Sequence, residues 1–417
     1  MTSDNIVVIG AGALGLSTAL HCALLGRPVV VLERDTAGSQ ASGRAAGLFK
    51  SVQADELRTI IARRSIDRAL SFGDWAGVPL EVAQSGSYLV ARTDAHRAFL
   101  ATEARQSAGW GVDVTEAGPG ELARAVSYYQ GDGSELALRC PEDCYIEEPM
   151  SLVTAMAAAC RRLGVEVAEG EPAVEIGLAG GAGRAGGVGG AGGAGGQAEV
   201  RTPRRSIPAA AVVDAAGAWT RQVAELTGAD MAVAPVRHQL LITEPAPDLD
   251  AAQPIIRVVD AAVYLRPARG GLMLGGFEAD PLPADPRARP ASFRTADLEL
   301  DLEVLAKMAG QVSVEVPLAG ELPVAEHRGG MFTMSPDGRF VAGPVPDAPG
   351  LWVASGCNGS GFSSSLALGE ALAAWICDVP GRLDISALAP ARFGALTDEA
   401  LISAGTWQYA HYYDPAA

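Results

Sequence analysis

Residues 7–16 read VVIGAGALGL, an apolar run interrupted by glycines at positions 10, 12 and 15. The run predicts a buried strand that turns into a small-residue helix, and PVVVLE at 28–33 predicts the next parallel strand. In such a βαβ unit Gly10 permits a tight turn, Gly12 lets the backbone approach a pyrophosphate, and Gly15 lets the helix pack on the strand. The stretch therefore predicts a dinucleotide site at the amino end of the helix.

The residues after this unit make the motif more specific. Glu33 ends the second strand, where a carboxylate can accept both hydroxyls of a ribose. Arg34 follows it, and then comes a small-residue loop typical of a backbone that runs beside a larger cofactor's phosphates and ring. The loop residues singled out on this basis are Ser39, Ser42, Gly43, Arg44, Ala45, Ala46 and Gly47.

Two later segments repeat the pattern of a strand that ends in glycine. They are VVDAAGAWT at 212–220 and SGCNGSGFSSSLALGE at 355–370. The backbone amides and helix start of the second could hold the electron-rich edge of a reduced flavin. Three glycine-rich sites in one chain favour a flavin over a nicotinamide cofactor.

Composition limits the classes of partner and location. The 417 residues carry a net charge of −17, which argues against nucleic acid or an anionic membrane as partner. The six cysteines lack zinc-ligand spacing, so we expect free thiols and no metal. The sequence has no signal peptide pattern and no apolar run of about 18 residues, which predicts a cytoplasmic protein without a membrane span.

Over nearly its whole length the chain resembles the D-amino-acid-oxidase superfamily of FAD enzymes. Within it, the chain resembles glycine oxidase, sarcosine oxidase and the flavin domain of dimethylglycine dehydrogenase. The segments that carry the resemblance, besides those quoted above, are SQASGRAAGL, PVRHQLLITEP, VYLRPARGGLMLGGFE and MSPDGRFVAGPVP. The resemblance implies hydride transfer from the carbon beside an amine nitrogen to flavin N5, giving an imine that water hydrolyses.

The predicted fold class is α/β (α+β), with a Rossmann-like FAD-binding domain and an inserted mixed β-sheet substrate domain. The FAD-binding domain is expected at 1–85, 145–230 and 330–417, and the substrate-binding domain at 86–144 and 231–329. The Gly/Ala-rich segment 178–197 predicts a flexible loop between two antiparallel strands.

The resemblance and the glycine-rich segments together define the expected cofactor site. Sarcosine oxidase attaches its flavin through a cysteine at the position of Gly330, so FAD is expected to be non-covalent. The expected cofactor-binding residues are Gly10, Gly12, Ala13, Leu14, Gly15, Glu33, Arg34, Ser39, Ser42, Gly43, Arg44, Ala45, Ala46, Gly47, Val174, Ala215, Ala216, Gly217, Trp219, Gly356, Asn358, Gly359, Ser360, Gly361 and Phe362.

The candidate substrate residues do not match the substrate residues of any single relative. Lys50 matches a carboxylate-binding arginine of sarcosine oxidase, and Tyr264 matches a substrate-contacting tyrosine of glycine oxidase. His238 matches a strand histidine of dimethylglycine dehydrogenase, and a neutral imidazole there could accept a proton from a substrate ammonium. Each of the three could instead be an ordinary surface or core residue. Arg266 and Arg328 are further candidate carboxylate partners.

At other matching positions this chain has a neutral residue where a relative has a charged one. Glycine oxidase has an arginine where this chain has Phe332, and sarcosine oxidase has lysines at the positions of Ser363 and of Met273. The latter lysine activates oxygen, so an oxidase and a dehydrogenase both stay open, with the oxidase preferred. We expect a bulky apolar substituent beside Phe332, Met331 and Met334.

The expected substrate is a small-molecule amine or amino acid, an N-substituted glycine R–NH–CH2–COO⁻. The products would be glyoxylate and a free amine, which can be a β-amino acid, with O2 as acceptor. The alternative is a sarcosine- or dimethylglycine-type demethylating dehydrogenase that passes electrons to a partner protein. The sequence leaves the oligomeric state open, a homo-oligomer included.

Overall fold

The computed structural model describes residues 4–118, 120–178, 198–247 and 249–414. Apart from Leu178, the predicted loop at 178–197 lies outside these described residues. The segments on either side of it pair as antiparallel strands, as the sequence predicts. No helix in the described ranges combines the length and the apolar character needed to cross a membrane.

The strands alternate with helices in the first part of the chain and cluster in its middle. The strands are β1 (Ile6–Ile9), β2 (Val29–Leu32), β3 (Leu48–Phe49), β4 (Ser87–Ala91), β5 (Thr115–Glu116), β6 (Leu136–Cys140), β7 (Cys144–Tyr145), β8 (Glu166–Ala168), β9 (Glu175–Gly177), β10 (Ala198–Arg201), β11 (Ser206–Ala209), β12 (Ala211–Asp214), β13 (Ala234–Thr243), β14 (Ile255–Val258), β15 (Val263–Ala268), β16 (Gly271–Gly276), β17 (Val324–Met334), β18 (Val341–Pro344) and β19 (Leu351–Ser355). The α-helices are α1 (Ala13–Leu24), α2 (Glu56–Leu70), α3 (Phe72–Ala76), α4 (Asp94–Gly109), α5 (Glu121–Ala125), α6 (Pro149–Arg162), α7 (Thr220–Glu225), α8 (Leu302–Gln311), α9 (Leu318–Glu321), α10 (Ser365–Ile376) and α11 (Asp398–Ala410).

A six-stranded sheet carries the opening βαβ unit, in the order β18-β19-β12-β1-β2-β8. Its strands pair in parallel except β18, which is antiparallel to β19. Strands β1 and β2 are apolar at every position because both faces of the sheet are covered. Helices α1, α6 and α10 pack on one face, and the small sheet β9–β11 packs on the other.

The second large sheet is mixed and has eight strands, in the order β17-β13-β16-β15-β14-β4-β6-β5. Helix α8 packs against one face of it through Leu305 and Met308. Strand β17 runs across the boundary expected between residues 329 and 330, so it links the two predicted domains. The domain boundaries themselves stay a prediction.

One helix start differs from the sequence prediction. The segment SLVTAMAAACRRLG at 151–164 predicts a helix capped by Ser151, but α6 begins at Pro149, with Glu148 as the residue before it. The Ser151 amide instead donates to the Glu148 carbonyl, inside the first turn. Proline is favoured at the first helical position because its missing N–H would have no partner there.

The glycines of the opening motif are required by close backbone contact. A Cβ on Gly15 would lie 2.0 Å from the Gly10 carbonyl oxygen, and a Cβ on Gly10 would lie 2.5 Å from the Ala215 oxygen. Gly10 also has a φ of +106°, which disfavours any other residue. The first turn of α1 is therefore pressed against the ends of β1 and β12.

We expect Gly15→Ala to destabilise the protein by about 1–3 kcal/mol, because the added methyl group must displace backbone. Thermal unfolding of the apoprotein and the FAD content after reconstitution measure the effect. Gly310→Ala is the matched control, because a Cβ there meets no atom within 4 Å. Equal melting temperatures for Gly15→Ala and the wild type would contradict this account of the motif.

Candidate functional site

A cavity of about 450 Å³ lies between the two sheets, which is within the usual range for small-molecule sites. The parallel strands β1, β12 and β19 end at the same edge of the six-stranded sheet, and a glycine-containing turn follows each of them. All three turns line the cavity, together with the inner face of the eight-stranded sheet. The three glycine-rich segments found in the sequence therefore meet at one place.

One end of the cavity suits a nucleotide. Glu33 accepts hydrogen bonds from the amides of Ala11 at 2.9 Å and Asp35 at 2.8 Å, which fix its carboxylate at the strand end. Burial raises the pKa of Glu33 against the opposing effect of these bonds. The Arg34 guanidinium stacks over the Trp219 ring at 4.5 Å and forms part of the same wall.

The loop after β2 is fixed against the start of α1. Ser42 Oγ accepts a hydrogen bond from the Ala13 amide at 2.9 Å. A Cβ on Gly43 would lie 2.3 Å from Met150 Cε, and a Cβ on Gly47 would lie 2.0 Å from the Ile146 oxygen. Small residues therefore allow this loop to pack flat on α6 and β7 and to form one long side of the cavity.

The third turn is joined to the end of β17. Asn358 has a positive φ of 44°, and its side-chain oxygen accepts the Ser335 amide at 2.9 Å. The Cys357 amide donates to Thr333 Oγ1 at 2.9 Å. These contacts hold the amino end of α10 toward the cavity, while the Cys357 side chain itself forms part of the lining.

Unpartnered polar atoms in the cavity wall provide a test of the expected cofactor. Ser39 Oγ, Thr295 Oγ1 and Arg328 Nη1 are buried, line the cavity and have no hydrogen-bond partner in the described part of the chain. A buried polar atom without a partner is unfavourable, so these donors call for a polar ligand. With the glycine turns and Glu33, they fit FAD, which presents phosphate, ribityl and ring-edge acceptors.

The other end of the cavity is aromatic. His238 stacks on Phe332 with ring centroids 4.1 Å apart. Its Nδ1 lies 2.7 Å from the Tyr409 hydroxyl and its Nε2 lies 2.9 Å from the Tyr264 hydroxyl. Burial lowers the pKa of His238 to about 3. The proposed proton-accepting role of His238 is therefore disfavoured, because both ring nitrogens are occupied and the ring is neutral.

Two cationic side chains face this aromatic end. The Lys50 ammonium lies 5.3 Å from the centre of the Tyr413 ring. Burial acts to lower the pKa of Lys50, but the charge of Glu103 and the neighbouring phenols outweigh it, so the pKa is raised. The second cation is Arg257, which is buried and lines the same cavity.

Asp143 anchors Arg257. Its fully buried carboxylate accepts Arg257 Nη1 at 3.0 Å, the Ser87 hydroxyl at 2.6 Å, and both the amide and hydroxyl of Ser51. These four hydrogen bonds fix the position of Asp143. Only one guanidinium nitrogen of Arg257 is bonded to Asp143. Lys50 and Arg257 together can therefore receive an anionic group from the cavity.

Most of the residues predicted for the site line the cavity, but six do not. Four of these support the turns from outside or are needed for close packing, namely Gly15, Gly43, Gly356 and Asn358. Val174 is 47% exposed, and the adjacent wall is formed by Pro172 and Ala173. Its predicted cofactor contact has no support in the geometry.

Arg266 is the sixth of these residues. The prediction that it binds a carboxylate is wrong, because its side chain does not line the cavity. Its guanidinium is fully buried and donates to the carbonyls of Ala46, Pro267 and Glu147. Burial lowers the pKa of Arg266 to about 10. The side chain therefore holds the loop at Ala46 through a hydrogen bond and does not reach the cavity.

The expected apolar subsite is also smaller than predicted. Phe332 and Met331 line the cavity, but the Met331 side chain packs in a cluster with Phe293 and Leu298. Met334 packs against Val236 and Tyr409 and does not line the cavity. Side chains alternate between the faces of β17, so Phe332 and Met334 share one face and Met331 lies on the other, and of the first two only Phe332 lines the cavity.

The sequence reasoning missed several residues at this end: Arg257, Phe277, Tyr412 and Tyr413. One signal was available, because an arginine inside the apolar strand PIIRVVD has to be buried and therefore paired. The tyrosines near the C-terminus give no such signal in the sequence.

Comparisons with known proteins agree with the geometry. Residues 5–375 match the family model described as "FAD dependent oxidoreductase" (DAO). Mitochondrial dimethylglycine dehydrogenase of Rattus norvegicus is 27% identical over 400 residues, covering 94% of this chain and 45% of that protein. Glycine oxidase of Pseudomonas aeruginosa is 28% identical over 362 residues, covering 85% of this chain and 89% of that protein.

The fold is shared with solved structures. L-proline dehydrogenase from P. horikoshii superposes with a TM-score of 0.79 at 21% identity, covering 94% of this chain and 98% of the other. The chain spans less than half the length of the rat relative.

The neutral state of His238 predicts how stability depends on pH. The unfolded chain binds a proton at this histidine below about pH 6.5, whereas the folded protein does so only near pH 3. The free energy of unfolding should therefore fall as the pH drops through this window, by up to about 1.4 kcal/mol per pH unit for this group.

Urea unfolding of the apoprotein between pH 7 and pH 4 measures the slope. We expect His238→Gln to make the slope shallower, while wild type keeps contributions from both His238 and His21, whose pKa burial lowers to about 4. The core variant Ile61→Val is the control, since it should lower stability equally at each pH. An unchanged slope in His238→Gln would contradict the neutral assignment.

Proposed function

The chain belongs to the DAO family of FAD-dependent oxidoreductases, and on that premise we propose that it is an amine oxidase acting on N-substituted glycines, R–NH–CH2–COO⁻. The observation that carries the proposal is the cationic pair Lys50 and Arg257 at the aromatic end of the FAD cavity. Such a pair can bind a carboxylate through charge-assisted hydrogen bonds, and the aromatic wall beside it can pack against an apolar substituent R.

The proposed reaction removes two electrons and two protons in total from the substrate carbon and nitrogen. A hydride leaves the CH2 carbon, the nitrogen gives its proton to water, and R–N=CH–COO⁻ forms. Water then adds to this imine and releases R–NH2 and glyoxylate, OHC–COO⁻. FAD, when bound, supplies the hydride acceptor, and O2 takes the two electrons to give H2O2. The released amine R–NH2 can itself be a β-amino acid.

The side chains of the site contribute binding and orientation. Lys50 and Arg257 would hold the carboxylate, and the Tyr264 hydroxyl lies on the neighbouring strand, in register with Arg257. Phe332 and Phe277 surround the amine with apolar surface, which disfavours the ammonium form and so leaves a neutral amine that can give up hydride. No general base is required, in keeping with the neutral, fully bonded His238.

We propose non-covalent FAD binding. Gly330 occupies the position of the flavin-bearing cysteine in the resemblance, and it lies in the cavity wall opposite Ala41, 4.0 Å from where its Cβ would be. A glycine offers no atom for attachment there. The interactions available to the cofactor are the glycine turns, Glu33 and the unpartnered donors of the wall.

A dehydrogenase is the second candidate, and one observation favours it. Met273, at the position of the oxygen-activating lysine, is buried in an apolar cluster with Leu240, Ile242 and Ala268. No cation therefore stands at that point in the described structure. The curated relative of Rattus norvegicus is a dehydrogenase, whereas that of Pseudomonas aeruginosa is an oxidase.

The purified holoprotein should oxidise an N-alkylglycine and release glyoxylate and the alkylamine in equal amounts. Hydrogen peroxide formed per glyoxylate distinguishes the two candidates, because an oxidase gives one peroxide per turnover in air. A dehydrogenase would instead need an artificial acceptor and would reoxidise slowly in air after anaerobic reduction. Absence of flavin bleaching by every N-substituted glycine would overturn the proposed function.

Lys50→Met and Arg257→Met should each raise KM for an N-alkylglycine by about ten- to a hundredfold, because a charge-assisted hydrogen bond to the carboxylate is lost. The corresponding amine without a carboxylate should respond much less. Arg139→Met is the matched control, since this exposed arginine lies on the eight-stranded sheet away from the cavity. Equal effects on both substrates would remove the carboxylate role.

A further inference from the structure

A long connection leads from the eight-stranded sheet to the cofactor side of the cavity. Residues 282–301, which we call the strap, lie between β16 and α8 and contain only two short helical turns. Both ends of the strap are bonded to β13. The Arg237 amide donates to the Leu282 carbonyl at 2.9 Å, and the Asp301 amide donates to Gln239 Oε1 at 2.9 Å. Long connections of this kind inside a domain usually have a binding or covering role.

The middle of the strap packs on the turn that follows β12. Phe293 is buried in one cluster with Ala218 and Met331, and its ring centroid lies 6.5 Å from that of Trp219. Ala218, Trp219 and Met331 all line the cavity. The strap therefore covers the outside of a cavity wall that belongs to the six-stranded sheet.

Three hydrogen bonds connect the strap with the loop after β2. Arg294 Nε donates to the Asp35 carboxylate at 2.7 Å, and the Thr295 amide donates to Gln40 Oε1 at 2.9 Å. Gln40 Nε2 in turn donates to Asp35 at 3.0 Å. Gln40 lines the cavity, so these bonds join two of its walls that come from different sheets.

The Thr295 hydroxyl is the unsatisfied group at this junction. The residue is 2% exposed, and in the described part of the chain its Oγ1 has no hydrogen-bond partner, although Thr295 lines the cavity. The loop beside it is bonded to the start of α1, because the Gly38 amide donates to the Ala11 carbonyl and Ser42 Oγ accepts the Ala13 amide. A helix start is where phosphate oxygens bind, so the acceptor that the hydroxyl needs is expected there.

We propose that Thr295 is a cofactor-binding residue whose hydroxyl donates a hydrogen bond to the diphosphate of FAD, and that the Asp35–Arg294 pair holds the strap over the bound cofactor. The cofactor site would then include a residue from outside the glycine-rich turns, supplied by the connection between β16 and α8. The inference rests on the non-covalent FAD binding proposed above and is independent of the substrate.

The rate of FAD release from the loaded protein tests the proposal, and the rise of free-flavin fluorescence after dilution measures it. Thr295→Val keeps the shape of the side chain but removes the donor, and should speed release by about tenfold. Thr295→Ser keeps the hydroxyl and should release FAD at the wild-type rate. Arg294→Met should speed release by about threefold or more, because the strap loses its bond to Asp35.

The flavin-free protein separates a binding role of Thr295 from a structural one. Without FAD the hydroxyl is a buried donor without a partner, so Thr295→Val should leave the melting temperature of the flavin-free protein unchanged or higher. The rise in melting temperature on loading with FAD should be smaller in Thr295→Val than in the wild type.

Thr102→Val and Arg105→Met are the matched controls, because both residues are exposed on α4, and neither substitution should change release or melting. Wild-type release from Thr295→Val, or an equal loss of melting temperature with and without FAD, would overturn the role of Thr295. Wild-type release from Arg294→Met would overturn the role of the strap. If flavin stays on the acid-precipitated protein, it is the proposed non-covalent binding that fails, and the melting temperatures still test Thr295.

Discussion

The close contact of backbone at the ends of β1 and β12 is the constraint on which the site depends. Gly10, Gly15 and Ala215 lie so near one another that any added carbon would overlap a carbonyl oxygen. This contact brings the first turn of α1 and the turn after β12 to one edge of the sheet. Because parallel strands end together, the turn after β19 lies at the same edge, and the three form one cavity.

The second sheet completes the cavity with side chains, whereas the first does so mainly with backbone. Strands β13, β15 and β14 each present a polar residue on the inner face: His238, Tyr264 and Arg257. Every one of them has a partner that fixes it, and those partners, Tyr409 and Asp143, come from distant parts of the chain. A rigid polar set of this kind can orient a small substrate against a bound cofactor.

Most residues predicted for the cofactor side line the cavity, whereas Arg257, Phe277, Tyr412 and Tyr413 at the aromatic end were not predicted from the sequence. Glu33, Ser42 and the glycine turns follow local rules, since a strand, a tight turn and a helix lie within a short segment. Arg266 was misplaced because the pattern VYLRPA does not reveal which buried cation reaches a cavity. Arg266 lies two residues beyond Tyr264 on the same face of β15, and the loop at Ala46 covers it there.

By itself, the sequence determined the fold class and the βαβ unit, because these depend on periodicity and on glycine at fixed spacing, and its resemblance to known FAD enzymes indicated the family. Only the tertiary structure decided which side chains meet at the aromatic end of the cavity. Lys50, Arg257 and Tyr413 are separated by long stretches of chain, and strand register together with the docking of α11 brings them together. Such contacts depend on packing between distant segments, which no local pattern of residues records.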